Sequence, residues 1–344
     1  MKTIAFYDTK PYDKRFFDQY KEEYGIEFKY FENKLNADTA MMAHGCDGVC
    51  AFVNDDLNAD TIETLYENGI RVIAMRCSGY NNIDFKKAFG KIHVLRVPAY
   101  SPYAVAEHTM AMLLILNRKI HRAYIRTKDF NFSLNGLVGF DLHGKTVGVI
   151  GTGKIGQIFI DICRGFGMRV LAYDPYPVKD KGIDYVDIET LCKEADIISL
   201  HCPLTDSTKH IISDKTLKLM KDGVYILNTS RGKLIDSEAL LEAIKSEKVG
   251  GAALDVYEEE TEYFFEDFSE EIMPDDVLSR LISMPNVLVT SHQAFLTKEA
   301  LANIATTTLD NLKAFFENQP LVNEVCYHCQ KNGACKREHK ERCF

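Results

Sequence analysis

Short apolar runs alternate with longer stretches of helical periodicity along the whole of this 344-residue chain. A brief apolar run bounded by turn-forming residues fits a buried strand. Apolar positions recurring three and four apart fit a helix lying on a sheet. In the first third the runs predict strands at Thr3–Tyr7, Glu27–Tyr30, Gly48–Val53, Arg71–Met75 and His93–Val97. In the middle they predict strands at Thr146–Ile150, Arg169–Tyr173, Ile197–His201, Val224–Asn228, Ala252–Val256 and Val287–Thr290. Strands alternating with helices make a mainly parallel sheet covered by helices. The expected fold class is therefore α/β, with two successive doubly wound parallel-sheet units and no sequence repeat relating them.

The join falls near residue 100. Ser101 followed by Pro102 reads as an N-cap and a first-turn proline. Behind them Ala104, Val105, His108, Ala111, Met112 and Ile115 form an apolar face at helical spacing. A second helical run, Lys298 to Glu317, follows the last strand of the middle unit. It would return the chain to the first domain, leaving a discontinuous domain and a cleft spanned by two crossings.

Composition narrows the class. With 46% hydrophobic and 26% charged residues the chain reads as a soluble globular protein. A net charge of -9 argues against nucleic acid as a partner, because phosphate binding needs a basic face. The start, MKTIAFYDTK, shows no signal-peptide pattern. The longest apolar segment, Ala104 to Leu116, is interrupted by Glu107 and His108 and is too short to span a bilayer. Cys46, Cys50, Cys77, Cys163, Cys192 and Cys202 lie mostly within apolar runs, as small buried hydrophobes of a reducing compartment. A cytoplasmic protein without a membrane partner is expected.

The most specific local signal lies between Lys145 and Asp174. Val147-Gly148-Val149-Ile150-Gly151-Thr152-Gly153-Lys154-Ile155-Gly156 is a buried strand running into a G-x-G-x-x-G turn. Gly151 permits the tight turn, Gly153 lets backbone approach a pyrophosphate, and Gly156 lets helix and strand pack closely. Ile155, Ile158, Phe159, Ile162 and Phe166 give the next helix its apolar face, so its first N–H groups, at Lys154 and Ile155, would point at phosphates. Asp174 ends the following strand, about 20 residues on, where an acid binds ribose hydroxyls and repels an extra phosphate. The expected cofactor is NAD.

Ligands of open parallel sheets bind beyond the carboxyl ends of the strands. Those ends carry Asp174, Cys202-Pro203, Thr229-Ser230-Arg231-Gly232, Asp255 with Glu260 in the same loop, and His292. Reduction of a 2-oxo acid needs a cation for the carboxylate and carbonyl, a proton donor near neutral pH, and a group that orients the donor. Arg231 offers a planar, permanently charged fork. His292 is the candidate general acid and base, and Glu260 could orient its imidazole and favour the imidazolium. Taken singly, each has a plainer reading as a surface ion pair, a core histidine or part of the solvated run Glu258-Glu259-Glu260.

The chain resembles the D-isomer-specific 2-hydroxyacid dehydrogenases, and among them the fermentative D-lactate dehydrogenases. The stretches that carry the likeness begin with Arg76-Cys77-Ser78-Gly79-Tyr80-Asn81-Asn82-Ile83-Asp84, Arg96-Val97-Pro98-Ala99-Tyr100-Ser101-Pro102 and Val149 to Gly156. Further on come His201-Cys202-Pro203-Leu204-Thr205, Asn228-Thr229-Ser230-Arg231-Gly232, Leu254-Asp255-Val256-Tyr257-Glu258 and His292-Gln293-Ala294-Phe295-Leu296. The likeness runs from residue 1 to about 325.

This resemblance implies a Rossmann NAD-binding domain, residues 101–297, inserted in a flavodoxin-like catalytic domain made of residues 1–100 and 298–325. It implies Arg231, Glu260 and His292 as catalytic residues, with the spacing from Asp255 selecting Glu260 and leaving Glu258 a structural role. Substrate contacts are implied for the backbone of Ser78 and Gly79, for Tyr100, Arg231 and Phe295. Cys202, Pro203, Thr229, Ser230 and Asp255 are placed around the nicotinamide and its ribose. Tyr103 is bulkier than the family pattern and would reshape substrate preference if it reached the pocket. The implied activity is NADH-dependent, reversible reduction of pyruvate to D-lactate by a homodimer or homotetramer. Two alternatives stay open: a bulkier 2-oxo acid such as phenylpyruvate or 2-oxoisocaproate, and an NADH-sensing regulatory module.

Residues 326–344 form a separate Cys-rich tail in which Cys326, Cys329, Cys335 and Cys343 crowd together. Thiolates at C-x-x-C spacing can share zinc or an iron–sulfur cluster, but the later spacings do not repeat the pair of a zinc ribbon. The expectation is no metal, with those four cysteines as the candidate ligands should one bind.

Overall fold

The computed structural model describes residues 1–178, 181–259, 263–327 and 342–343. It divides into two compact units, Met1–Ser101 with the described residues from Leu296 onward, and Pro102–Phe295.

The first unit opens with β1 (Lys2–Phe6), α1 (Pro11–Tyr20), β2 (Ile26–Tyr30), β3 (Gly48–Ala51) and α2 (Ala59–Glu67). It continues with β4 (Val72–Met75), α3 (Phe85–Ala88) and β5 (His93–Leu95). The second unit begins with α4 (Pro102–Arg118), α5 (Ile120–Lys128), β6 (Thr146–Ile150), α6 (Lys154–Gly165) and β7 (Arg169–Tyr173). Then follow β8 (Asp184–Tyr185), α7 (Ile188–Glu194), β9 (Ile197–Leu200), α8 (Asp214–Leu219) and β10 (Val224–Asn228). It closes with α9 (Ser237–Lys245), β11 (Val249–Leu254), α10 (Asp276–Ser283) and β12 (Val287–Val289). The chain then returns to the first unit as α11 (Lys298–Phe316) and β13 (Glu324–Val325).

The two sheets run β13-β5-β4-β3-β1-β2 and β12-β11-β10-β9-β6-β7-β8. All their pairings are parallel except β13 on β5. The first has the doubly wound order of the flavodoxin type. The second reverses direction between β6 and β9, which is the switch point where a Rossmann sheet takes its ligand. Both faces of the second sheet are covered, so its central strands are mainly apolar. In β9, Ile197 packs into one cluster and Ile198 into the other.

Two departures from the sequence expectation have physical causes. β11 starts at Val249, before the predicted Ala252, and includes Gly250 and Gly251. A Cβ on Gly250 would press on the Gly223 carbonyl, and one on Gly251 on the Tyr225 ring, so the strand needs glycine there. β13 escapes the period-based reading because it is two residues long and carries a buried Glu324. That carboxylate is tolerated because Oε1 lies 2.5 Å from His93 Nδ1 on the neighbouring strand.

The first sheet also buries a charge cluster at its carboxyl edge. Arg76, only 2% exposed, lies against Asp8, Asp13 and Asp55, each at most 5% exposed. Its Nη2 donates to the Asp8 carbonyl (2.6 Å), its Nε lies 3.3 Å from Asp13, and its plane stacks between Phe6 and Phe52. Asp55 accepts the amides of Leu35 and Phe52, both at 2.6 Å. Burial pushes the Asp55 carboxyl up to about 6 despite the pull of Arg76 and those amides. A carboxyl raised on folding binds its proton more tightly in the native state, so its contribution to stability falls as pH rises from about 4 to 6. Denaturation midpoints across that interval should show this slope in the native sequence and a shallower one in Asp55→Asn; equal slopes would count against the buried, raised carboxyl.

Candidate active site

The turn between β6 and α6 stands at the switch point of the second sheet. Gly151 has φ +97°, a conformation strained for any L side chain, and a Cβ there would press on the Cys202 amide and the His201 carbonyl. A Cβ on Gly156 would collide with the Gly151 carbonyl, so the first turn of α6 rests directly on the strand end. Gly153 caps α6, and a Cβ there would meet nothing within 4 Å. An open backbone face at the N-terminus of a 12-residue helix, with the amides of Lys154 and Ile155 in its first turn, fits a pyrophosphate.

Asp174 follows β7 and ties this turn down. Its Oδ2 accepts from the Thr152 amide (2.7 Å) and hydroxyl (3.0 Å), and its Oδ1 from the Tyr176 amide (2.8 Å). Tyr185 donates to the Thr152 hydroxyl at 2.9 Å. A carboxylate offers about four acceptor sites, so Oδ1 retains capacity for a ribose hydroxyl. The acid thus shapes the turn and keeps a free acceptor position beside it.

On the other side of the switch, burial pushes the Cys202 thiol up to about 11, and Pro203 beside it is exposed. His201 is not a proton donor. Its Nε2 is bonded to Ser199 Oγ at 2.8 Å, its ring lies 5.0 Å from Phe159, and burial lowers its pKa to about 3. After β10, Asn228 Oδ1 accepts the Ser230 amide and its Nδ2 donates to the Arg231 carbonyl. Ser230 Oγ donates to the Cys202 carbonyl at 2.8 Å, and Arg231 Nη1 to the Ser230 carbonyl at 2.7 Å. Thr229 donates to Thr109 of α4 at 2.7 Å, because the Thr109 hydrogen is already given to the Val105 carbonyl. A Cβ on Gly232 would collide with the Tyr257 carbonyl, which fixes the backbone next to Arg231.

Asp255 links the last two loops. The parallel ladder continues past the strands: the Asp255 amide donates to the Asn228 carbonyl (2.9 Å), and the His292 amide to the Asp255 carbonyl (2.7 Å). Arg231, three residues past Asn228, therefore stands with Asp255 and His292 just beyond the ends of three adjacent strands. The fully buried Asp255 carboxylate accepts from the Thr290 hydroxyl (2.6 Å) and from the Gln293 and Ala294 amides (both 2.9 Å), with His108 Nε2 at 3.4 Å. Burial alone would raise this carboxyl. The bonds from His108, Thr290 and the Ala294 amide, with the nearby His292, hold it below the ordinary range instead. His292 itself adopts φ +52°, an uncommon conformation for a non-glycine residue that Asp255 stabilises from both sides.

Sequence reasoning placed Asp255 only beside the cofactor, and it read His108 merely as part of an apolar helix face. The signal for His108 was a titratable ring, next to Glu107, interrupting the apolar run Ala104 to Leu116. Glu260, the expected orienting acid, lies outside the described residues, as do Cys329 and Cys335. Glu258 holds His210 (2.6 Å) and the Ser237 amide (3.3 Å). Phe295 is half-buried at the end of the second unit. Tyr103 is 61% exposed and lines a surface groove with Lys154, Gln157 and Ile158 of α6.

In the first unit, Ser78 and Gly79 lead away from β4. Arg96 donates to the Ser78 carbonyl at 3.0 Å and the Cys77 thiol to the Gly79 carbonyl at 3.3 Å. The Tyr100 carbonyl accepts from Asn303 of α11 at 2.7 Å. Among the described residues no group of three or more His, Cys, Asp or Glu could hold a metal ion.

The sequence profile described as "D-isomer specific 2-hydroxyacid dehydrogenase, NAD binding domain" matches residues 110–294. The chain is 51% identical over 327 residues to a D-lactate dehydrogenase of Escherichia coli (strain K12), covering 94% of this chain and 99% of that one. The apo-structure of D-lactate dehydrogenase from Escherichia coli matches with a TM-score of 0.87 at 49% identity, over 94% of this chain and 99% of that one. A structure of D-2-hydroxyisocaproate dehydrogenase matches with a TM-score of 0.84 at 34% identity, over the same shares of the two chains.

Replacing Asp255 by Ala leaves two loop amides without their acceptor. The amides of Gln293 and Ala294 should then exchange hydrogen at least ~10-fold faster, with those of β6 and β7 unchanged. Unaltered protection at 293–294 would show that the loop stands without Asp255.

Proposed function

The chain belongs to the D-isomer-specific 2-hydroxyacid dehydrogenase family, and we propose that it is an NAD-dependent D-lactate dehydrogenase, reducing pyruvate reversibly to D-lactate. The observation that carries this reading is the placement of Arg231, Asp255 and His292 just beyond the ends of three adjacent strands of the second sheet, with Asp255 bonded to the His292 loop. A module that only sensed the cofactor would have no need of a histidine held in a strained conformation by a buried carboxylate.

In this reading Gly151, Gly153, Lys154, Ile155 and Gly156 hold the pyrophosphate and Asp174 the ribose hydroxyls. Cys202, Pro203, Thr229, Ser230 and Asp255 surround the nicotinamide end. When bound, NADH supplies a hydride to the carbonyl carbon of the oxo acid. His292 delivers a proton to the carbonyl oxygen, and Arg231 lowers the energy of the charge that develops there. Glu260 orients the imidazole. Ser78 and Gly79 supply backbone amides for the substrate carboxylate. Tyr100 and Phe295 limit the substituent at C3. The domain assignment follows the same roles: residues 101–297 bind cofactor, and residues 1–100 with 298–325 act on substrate.

The proposed form is a homodimer or homotetramer. Support comes from the arm that runs from α5, where Ile120, Tyr124, Ile125, Phe130, Phe132, Leu134 and Val138 are each more than half exposed. Apolar area on that scale marks an association surface. Light scattering should give at least twice the mass of one chain, and a monomer would reject this part. The described residues contain no helix long and apolar enough to cross a membrane. A cytoplasmic location is proposed with it, supported by the buried scattered thiols.

His292→Ala should lower pyruvate reduction by at least ~10²-fold while NADH binding is kept. Full activity in that variant would overturn the role of His292. NADH oxidation against pyruvate, phenylpyruvate and 2-oxoisocaproate tests the substrate. A strong preference for a bulky acid would move the assignment towards the 34%-identical hydroxyisocaproate enzyme, and turnover of none would favour the sensing module.

A further inference from the structure

The last described residues of the chain return to the sheet edge that β13 forms. Arg342 Nη2 donates to the carbonyls of Phe315 (2.8 Å) and Ala314 (3.3 Å), and its Nε to that of Gln319 (3.4 Å). Its guanidinium lies 5.2 Å from the centre of the Phe315 ring. A cation thus caps the C-terminus of α11, where unsatisfied carbonyls and the helix dipole both favour one. The Cys343 amide donates to Glu324 Oε2 at 2.6 Å, the carboxylate whose other oxygen meets His93. The Cys343 thiol hydrogen-bonds both that carboxylate and the thiol of Cys326, which directly follows β13. Both sulfurs belong to residues less than a tenth exposed. Three separate attachments therefore bring one thiol of the tail against one of the sheet edge.

We propose that Cys326 and Cys343 form a redox site: a disulfide between them, made by exchange with a low-molecular-weight disulfide such as glutathione disulfide, staples the C-terminus to the first unit. The Cys343 thiolate attacks one sulfur of the small disulfide, forming a mixed disulfide and expelling one thiolate, which takes up a proton. The Cys326 thiolate then attacks Cys343 Sγ, forms the Sγ–Sγ bond and expels the second small thiolate. Two protein thiols are oxidised and one small disulfide is reduced to two thiols.

The surroundings set the kinetics. Burial, then the Glu324 carboxylate, push the Cys343 thiol far up, so it is a poor nucleophile while docked. Oxidation begins when Arg342 and Cys343 lift from α11 and β13. Once the bridge is closed, high-pKa thiols are poor leaving groups and reduction is slow. The site acts as a slow latch rather than a rapid switch.

The test uses the full chain, reduced, desalted and then exposed to glutathione disulfide. Without reductant, trypsin should release the peptide from Ala314 to Lys331 joined to the terminal Cys343-Phe344 dipeptide. Fragmentation should place the bond on Cys326, two hydrogens lighter than the separate peptides. The melting temperature should rise by about 5 °C and fall back on reduction. Cys326→Ser should lose the link and the shift, whereas Cys329→Ser should keep both. If Cys326→Ser does not fold, Cys343→Ser at the chain end serves in its place. A bond to Cys329 or Cys335, glutathione adducts without an internal bond, or stoichiometric zinc or iron in the isolated protein would each overturn the proposal.

Discussion

The buried carboxylate of Asp255 is the constraint on which the arrangement of the second unit depends. It lies at the end of β11, between the strands that deliver Arg231 and His292, and every group it binds belongs to another element. Taking a carboxylate out of water is costly, and what offsets the cost here is a complete set of donors. Removing the carboxylate would therefore both strand those donors and release the backbone that holds His292 in its left-handed conformation. The strand ladder places the loops side by side; the carboxylate fixes the shape of the last one.

The glycine turn works by the opposite means. Where Asp255 adds contacts, Gly151 and Gly156 remove atoms so that backbone can lie against backbone, and Gly153 keeps one face clear. Asp174 joins the two devices, because its carboxylate shapes the turn through Thr152 and keeps capacity for a sugar hydroxyl. In both loops the local conformation is settled by groups more than twenty residues away in sequence.

That distance explains what the amino-acid sequence could tell. The longer strands of both sheets were legible because burial leaves short, mainly apolar runs, whereas the two-residue edge strands β8 and β13 carry no such run. The glycine turn was legible because its three glycines and its acid stand at fixed offsets in one continuous stretch. Arg231 and His292 could be read as chemistry-bearing residues at strand ends. The anchoring role of Asp255 could not, since Thr290 and His108 reach it only after folding. Arg76 was likewise hidden: its neutralising acids, Asp8, Asp13 and Asp55, are scattered over the first third of the chain and converge at one sheet edge. The true start of β11 was hidden for a related reason, as the crowding that makes Gly250 and Gly251 strand residues comes from Gly223 and Tyr225.

Because the His292 backbone is bonded to Asp255 and follows β12, its place on the sheet is set by strand pairing, while its ring is met from the intervening loop by Phe265 at 5.9 Å. The mostly exposed stretch from Glu266 to Pro274 lies beyond Phe265 and can gain or lose residues while the strand ladder keeps the histidine backbone in place. Loop length there is decoupled from the strand ends. A lineage carrying this scaffold can thus remodel that border by insertion and deletion, while the His292 backbone stays where the sheet puts it.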